Sequence, residues 1–172
     1  MNKVGNLFRI GVTALIVALC WQPAVAEETL KLFLVRHAEK VDQSQESALT
    51  ELGERRALAI AELLASEPLT RIFSTPFNRT LLTARPTADQ HGLEITEYDG
   101  NQLEEFAGQL RLLEGAVLVV GHSNTTPVLV NHLVGTELPL LEEHEYDRVY
   151  VVTLDENGDA SLDMQFTQPR TH

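Results

Sequence analysis

The chain has 172 residues, of which 44% are hydrophobic, and this length and apolar content predict one domain with a sizeable core. Acidic side chains outnumber basic ones by 25 to 13, which argues against the extended basic surface that nucleic-acid binding requires. An acidic protein can still bind an anion where a few of its arginines are concentrated in one pocket.

Residues 1–26 have the composition of a secretory signal peptide. Lys3 and Arg9 precede the apolar segment IGVTALIVALCW, and Ala24 and Ala26 form the small-residue pattern of a cleavage site. The apolar segment is short for a membrane span. We therefore expect cleavage after Ala26, a periplasmic or secreted protein and no stable membrane anchor, with an uncleaved anchor as the alternative.

Cleavage would leave residues 27–172 as a single domain of 146 residues with a net charge of −14. It would also remove Cys20, the only cysteine, so neither disulfides nor cysteine catalysis are expected in the mature protein. A lipoprotein anchored at Cys20 is disfavoured because Leu19 precedes it, where a small residue is expected.

Taken in chain order, predicted strands and helices alternate along the mature chain. Strands are predicted at 30–35, 69–75, 93–98, 116–122, 146–155 and 160–166, with an Asn-Gly hairpin turn in ENGD between the last two. Helices are predicted from Thr50 as N-cap, from Pro76 to Gly92, from 101 to Gly115 and from Pro127 to about Leu133. This order indicates an α/β three-layer sandwich, with a mostly parallel central sheet, helices on both faces and an antiparallel edge hairpin.

Cationic side chains recur where three of these strands end. Arg36 and His37 follow the first strand, His122 ends the strand at 116–122, and Arg79 lies in the first turn of the helix after the strand at 69–75. Ligands of open α/β sheets bind beyond the carboxyl ends of the strands. If these strands are neighbours, the four side chains converge in one crevice.

Four such groups repel one another unless an anion lies among them, and the guanidinium fork of arginine matches phosphate oxygens. The pattern therefore indicates a phosphate pocket, in which a histidine can also act as a nucleophile. A metal site is disfavoured because no third ligand has matching spacing and two arginines oppose a divalent cation.

Four segments resemble the histidine phosphatase superfamily, also called phosphoglycerate mutase-like. They are LVRHAEK, LTELGERRA, STPFNRTLLTA and VVGHSNTTP, and they span residues 30 to about 135 in the family's order. The resemblance implies that His37 is the phosphorylated nucleophile and that Arg36, Arg79 and His122 bind phosphoryl oxygens. It implies no metal or organic cofactor. The family more often has glycine at the position of Ala38.

The general acid of the family, usually a glutamate after the third strand, has no plain counterpart in EITEYDGNQLEE. Asp99 is the first choice, Glu97 the second and Glu104 the third, and all three can equally be solvated surface acids. Ser123 and Asn124 are candidate substrate contacts, although Asn124 can equally cap the next helix.

The expected activity is a metal-independent phosphatase that hydrolyses a small phosphomonoester through a phosphohistidine intermediate. Alternatives are a phosphohistidine-protein phosphatase, a phosphomutase, which the short loops disfavour, and a non-catalytic module that binds phosphate or sugar phosphates. Specificity is expected in segments 41–49, 98–105 and 135–147, the last of which is acidic.

Overall fold

The computed structural model describes residues 29–171, so the predicted signal peptide and Cys20 lie outside the described residues. Ten elements follow one another along this part of the chain: β1 Leu30–Arg36, α1 Glu51–Leu63, β2 Leu69–Ser74, α2 Asn78–His91, β3 Ile95–Glu97, α3 Leu103–Leu110, β4 Gly115–Gly121, α4 Thr126–Val134, β5 Arg148–Leu154 and β6 Ala160–Phe166. Thr50 caps α1 as predicted, because its hydroxyl accepts a hydrogen bond from the backbone N–H of Gly53 at 3.1 Å.

The strands form one sheet in the order β3-β2-β4-β1-β5-β6. The first four strands of this order are parallel, whereas β5 and β6 pair as an antiparallel hairpin at one edge. Strands β1 and β4 are adjacent, with Arg36 opposite Gly121, and β2 lies on the other side of β4. The two predicted histidine-bearing strand ends are therefore neighbours.

Alternate residues of β1 face two separate apolar layers, which explains its nearly continuous hydrophobic sequence. Leu32 and Leu34 pack with the apolar faces of α3 and α4, while Phe33 and Val35 pack with α1 and α2. Each of these four side chains is at most 1% exposed. The predicted three-layer sandwich is confirmed, and the helices on both faces hold the sheet rigid beneath its carboxyl edge.

Two local predictions were wrong. The helix predicted to reach Gly115 ends at Leu110, and Gly115 instead begins β4 with a φ of 81°, where a Cβ would lie 2.9 Å from Thr70 Cγ2. The turn between β5 and β6 spans residues 155–159 and is therefore longer than a two-residue Asn-Gly turn. The Asp155 carboxylate stabilises it by accepting hydrogen bonds from the N–H groups of Asn157 and Asp159. Only Gly158 of this turn has a positive φ.

Within residues 29–171, every helix is too short or too polar to cross a membrane.

Candidate active site

The strand register brings the predicted site residues to one edge of the sheet. The backbone N–H of His37 donates to the carbonyl of Gly121 at 2.9 Å, so the ends of β1 and β4 are held together directly before both histidines. The backbone N–H of Thr75 donates to the carbonyl of Val120 at 3.3 Å, which holds the end of β2 beside them. The rings of His37 and His122 are consequently 5.4 Å apart, edge to face.

A cleft of about 600 Å³ lies at this edge. It is lined by Arg36, His37, Lys40, Gln43, Gln45, Thr75, Pro76, Phe77, Arg79, Asp99, Gly100, Asn101, His122, Ser123, Asn124, Thr125 and Glu143. A larger cavity of about 790 Å³ lies at the opposite edge, between Thr29, Thr70 and residues 112–115. The cleft is the better candidate site despite its smaller volume, because it collects the histidines and arginines and the other cavity contains no histidine.

His37 is held in one tautomer. Its Nδ1 lies 2.7 Å from the carbonyl oxygen of Ala38, and because a carbonyl only accepts, Nδ1 carries the proton. Nε2 therefore keeps its lone pair. Burial lowers the pKa of His37 to about 3, and the charges of Arg36 and His122 act in the same direction. The ring is therefore neutral near pH 7, as a nitrogen nucleophile must be.

Arg36 is 2% exposed and is fixed by the loop before β5. Its Nη1 donates to the backbone carbonyls of Glu142, Glu143 and Glu145 at 2.9, 3.1 and 3.2 Å. The ring of Tyr146 packs against the guanidinium, 4.0 Å from its central carbon. Only Nη2 and Nε remain for an anion, and Nη2 has one weak contact with the Glu143 carboxylate at 3.4 Å.

Arg79 approaches from the start of α2, where it packs over the Phe77 ring at 4.4 Å and donates to the Ser44 carbonyl at 3.2 Å. Among the described residues, the buried Nε atoms of Arg36 and Arg79 have no hydrogen-bond partner. These two arginines, from the end of β1 and the start of α2, both line the cleft, and each keeps one donor that no protein group of residues 29–171 satisfies.

His122 lies between a hydroxyl and a guanidinium. Its Nε2 is 2.8 Å from Thr75 Oγ1, and its Nδ1 is 3.5 Å from Arg79 Nη2. Burial lowers the pKa of His122 to about 4, and the charges of Arg79 and Arg36 act in the same direction. The side chain is therefore neutral near pH 7 in this state.

The candidate acids lie in different places. Asp99 is exposed and lines the cleft, but its carboxylate accepts hydrogen bonds from the backbone and side chain of Asn101, both at 2.9 Å. These hydrogen bonds lower the pKa of Asp99, which opposes a role as proton donor. Glu97 and Glu104 are exposed and lie on other surfaces rather than in the lining of the cleft.

Ser123 and Asn124 both line the cleft, so each is placed for a contact with substrate. Asn124 does not cap α4, because the N-cap position is Thr125, whose hydroxyl accepts from the backbone N–H of His122 at 2.9 Å. Lys40 lines the cleft as well, whereas Arg148 lies outside its lining and pairs with Glu145.

Sequence reasoning missed four residues of this site. Thr75 and Thr80 form a hydroxyl chain behind His122, Tyr146 packs on Arg36, and Glu143 lines the cleft beside Lys40 at 4.0 Å. Only the position of Thr75 at the end of a predicted strand could have indicated a role. Tyr146 and Glu143 lie in the predicted specificity segment 135–147, but only the fold brings these two side chains to Arg36.

Glu39, two residues after His37, is a structural residue. Its carboxylate pairs with Arg56 at 2.6 Å, and Arg56 is fully buried. Arg56 also donates to Thr167 and to the carbonyl of Pro169, which connects the loop after His37 to residues 167–169. Among residues 29–171, no cluster of three or more His, Cys, Asp or Glu side chains could hold a metal ion.

Comparison with known families places this site in context. Residues 32–108 match the histidine phosphatase superfamily (branch 1). Members of this superfamily are phosphatases or mutases that use a histidine nucleophile. The matched segment contains His37 and Arg79 but ends before His122.

Two curated relatives match over short segments. A probable phosphoglycerate mutase GpmB of Yersinia enterocolitica is 36% identical over 73 residues, which is 38% of this chain and 34% of that protein. Phosphoserine phosphatase 1 of Hydrogenobacter thermophilus is 39% identical over 77 residues, 41% of this chain and 36% of that protein. The chain thus matches about a third of the length of these relatives.

Solved structures share the fold over most of the chain. The protein histidine phosphatase SixA complexed with tungstate has a TM-score of 0.69 at 22% identity, over 80% of this chain and 96% of that one. A putative alpha-ribazole-5'-P phosphatase of Escherichia coli has a TM-score of 0.66 at 15% identity, over 80% of this chain and 96% of that one. At these identities the likeness concerns the fold alone.

Proposed function

We propose that this chain, whose residues 32–108 match the histidine phosphatase superfamily, is an exported phosphatase that hydrolyses a small phosphomonoester through a phosphohistidine on His37. The observation that carries the proposal is the state of His37. The ring is neutral, its Nδ1–H is held by Ala38, and it lies in a cleft with two arginines and a second histidine.

In the proposed first step, Nε2 of His37 attacks phosphorus in line as the bond to the leaving oxygen breaks. Arg36 and Arg79 neutralise charge on the non-bridging oxygens through the donors that have no protein partner. Water then attacks the phosphohistidine, and the electron pair of the N–P bond returns to Nε2. Ala38 holds the Nδ1 proton through both steps, so the ring needs no change of tautomer.

Nothing in this mechanism requires a metal or an organic cofactor. The arginines supply the charge that a metal ion supplies in other phosphatases. We propose a small phosphorylated substrate, because the cleft is about 600 Å³ and carries carboxamide side chains rather than a second cationic patch at its rim: Gln43, Gln45, Asn101 and Asn124. The predicted signal peptide supports a periplasmic or secreted location, where nucleic acid is not the expected partner.

The first experiment is hydrolysis of p-nitrophenyl phosphate by residues 27–172, from pH 5 to 8 in EDTA. Wild type should turn over and His37→Ala should not. His132→Ala is the matched control, because His132 is exposed on α4 and does not line the cleft. Substantial turnover by folded His37→Ala would refute the proposed nucleophile, and loss of wild-type activity in EDTA would refute metal independence.

Asp99, the first choice for the general acid from the sequence, is tested by Asp99→Asn. If Asp99 protonates the leaving oxygen, the variant should lose one limb of the pH–rate profile. An unchanged profile would mean that the proton comes from elsewhere or that the leaving group needs none.

A phosphohistidine-protein phosphatase is the second candidate, and the state of Asp99 favours it. Phosphohistidine has a good leaving group and needs little acid catalysis, and the hydrogen bonds from Asn101 keep the Asp99 carboxyl ionised. The predicted export signal opposes this candidate. Rates on phosphohistidine and on an alkyl phosphate separate the two, since an enzyme without a general acid should be far slower on the alkyl ester. Phosphate-dependent thermal stabilisation without turnover on either compound would indicate a binding module.

A further inference from the structure

A chain of three hydrogen bonds determines which nitrogen of His122 carries its proton. Thr80 Oγ1 lies 2.8 Å from the backbone carbonyls of both Thr75 and Phe77. Carbonyl oxygens only accept, so the Thr80 hydroxyl proton points to them. Thr75 Oγ1, 3.0 Å from Thr80 Oγ1, must then donate to Thr80 and is left with acceptor capacity towards His122. Because Nε2 of His122 is 2.8 Å away, it is the donor in that pair.

The other side of the ring supports the same tautomer independently. Arg79 Nη2, the group nearest to Nδ1 at 3.5 Å, has only donors, so Nδ1 presents its lone pair to it. The hydroxyls of Thr75 and Thr80 are shielded from water, since Thr75 is 1% exposed and Thr80 is fully buried. Neutral His122 therefore presents a lone pair at Nδ1 on the side of the cleft where Arg79 lies.

The remaining groups around His122 do not offer a proton to a leaving oxygen. His37 lies beside it with its Nδ1 proton held by Ala38. Phe77 packs on the ring, and the charges of Arg36, Arg79 and Lys40 act on it as fixed cations. Of the carboxylates that line the cleft, Asp99 is held by Asn101, and Glu143 lies against Arg36 and Lys40.

We propose, on the basis of the proposed function, that Thr75 and Thr80 are positioning residues that hold His122 in this tautomer. In this arrangement Nδ1 of His122 takes up one proton when the phosphoryl group binds. His122 then delivers that proton to the leaving oxygen. A phosphoryl oxygen of a dianion and Nδ1 both present lone pairs, so the two atoms must share one proton. The proton can arrive in two ways: the substrate binds as a monoanion that carries it, or His122 takes it from solvent. The class of ligand is a phosphoryl group that binds together with one proton.

The proton balance closes over the cycle. As the P–O bond breaks and His37 Nε2 bonds to phosphorus, the proton on His122 Nδ1 goes to the leaving oxygen and gives the alcohol. In the second step water attacks phosphorus and one of its protons returns to Nδ1, while the N–P electron pair goes back to His37. Phosphate leaves and His122 is again ready to share one proton with the next substrate.

The tautomer is measured by ¹⁵N NMR of histidine-labelled protein at pH 7.5, which needs no turnover. Wild-type His122 should show a protonated Nε2 and an unprotonated Nδ1. In Thr75→Val this preference should be lost, and Thr75→Ser should restore it. The matched control is Thr87→Val, because Thr87 is equally buried but its hydroxyl has no hydrogen-bond partner. A protonated Nδ1 in neutral wild-type His122 would overturn the proposal.

The proton linkage is measured by titration with inorganic phosphate between pH 7.5 and 9. Wild-type Kd should rise about tenfold per pH unit, since one proton is bound with the dianion. In Thr75→Val this slope should fall towards zero, because Nδ1 can then carry the proton itself, while kcat on p-nitrophenyl phosphate falls about tenfold or more. A pH-independent wild-type Kd, or an unchanged slope in Thr75→Val, would contradict the inference. The pH dependence of Kd in wild type and in Thr75→Val remains decisive if p-nitrophenyl phosphate is not turned over.

Discussion

Burial of His37 should make the folded protein lose stability in mild acid. The folded state holds this pKa at about 3, whereas an unfolded chain has the ordinary value of 6.5. Between these values the unfolded state binds the additional proton, so stability rises with pH and is lost as the pH falls below 6.5. From pH 7.5 to pH 5.0 the free energy of unfolding should fall by about 2 kcal/mol on account of His37 alone, or roughly 30-fold in the folding equilibrium.

Urea denaturation at pH 7.5 and 5.0, for wild type and His37→Asn, isolates this contribution. Asparagine keeps an N–H for the Ala38 carbonyl but does not titrate, so the variant should lose about 2 kcal/mol less than wild type over the same pH interval. His122 acts in the same direction in both proteins, and its contribution largely cancels in the comparison. An equal pH dependence of the two proteins would show that His37 is not held neutral by burial.

Three substitutions test other parts of the site and its support. Arg79→Lys keeps the charge but loses the two-pronged contact and the second Nη, so kcat/KM on p-nitrophenyl phosphate should fall by about 10- to 100-fold. Thr87→Val removes a buried hydroxyl that has no partner and should raise the free energy of unfolding in urea by about 1 kcal/mol. Gly53→Ala places a Cβ 2.2 Å from the Glu39 carbonyl oxygen and should lower the free energy of unfolding by about 2 kcal/mol or more.

Matched controls accompany these variants. Arg71→Lys changes an exposed arginine outside the cleft and should leave kcat/KM unchanged. Thr83→Val lies on the same helix as Thr87, but its hydroxyl donates to the Arg79 carbonyl at 2.7 Å and accepts from Ala38 at 2.9 Å, so it should destabilise the fold. Gly108→Ala introduces a Cβ with nothing within 4 Å and should be neutral or stabilising. If a variant and its control changed kcat/KM or the free energy of unfolding equally, the contact assigned to the varied residue would be refuted.

The sequence alone determined the architecture and the two arginines and two histidines of the site. Apolar runs of strand length alternating with amphipathic helices allow few arrangements other than a layered α/β sheet, because each face of a buried strand must be covered. The location of residues at strand ends could also be predicted, since parallel strands end at one edge of the sheet. Arg36 and His122 were predicted at that edge for this reason, and residues 30 to 135 carry the resemblance that assigns them roles.

The tertiary structure alone decided the protonation of those residues and the partners that set it. The pKa values of His37 and His122 depend on burial and on charges from separate elements, which no local pattern encodes. The tautomer of His122 depends on Thr75 and Thr80, which reach it because β2 pairs with β4 in one particular register. The sequence names the groups that can bind a phosphoryl group, but where each proton resides is set by contacts between segments far apart in the chain.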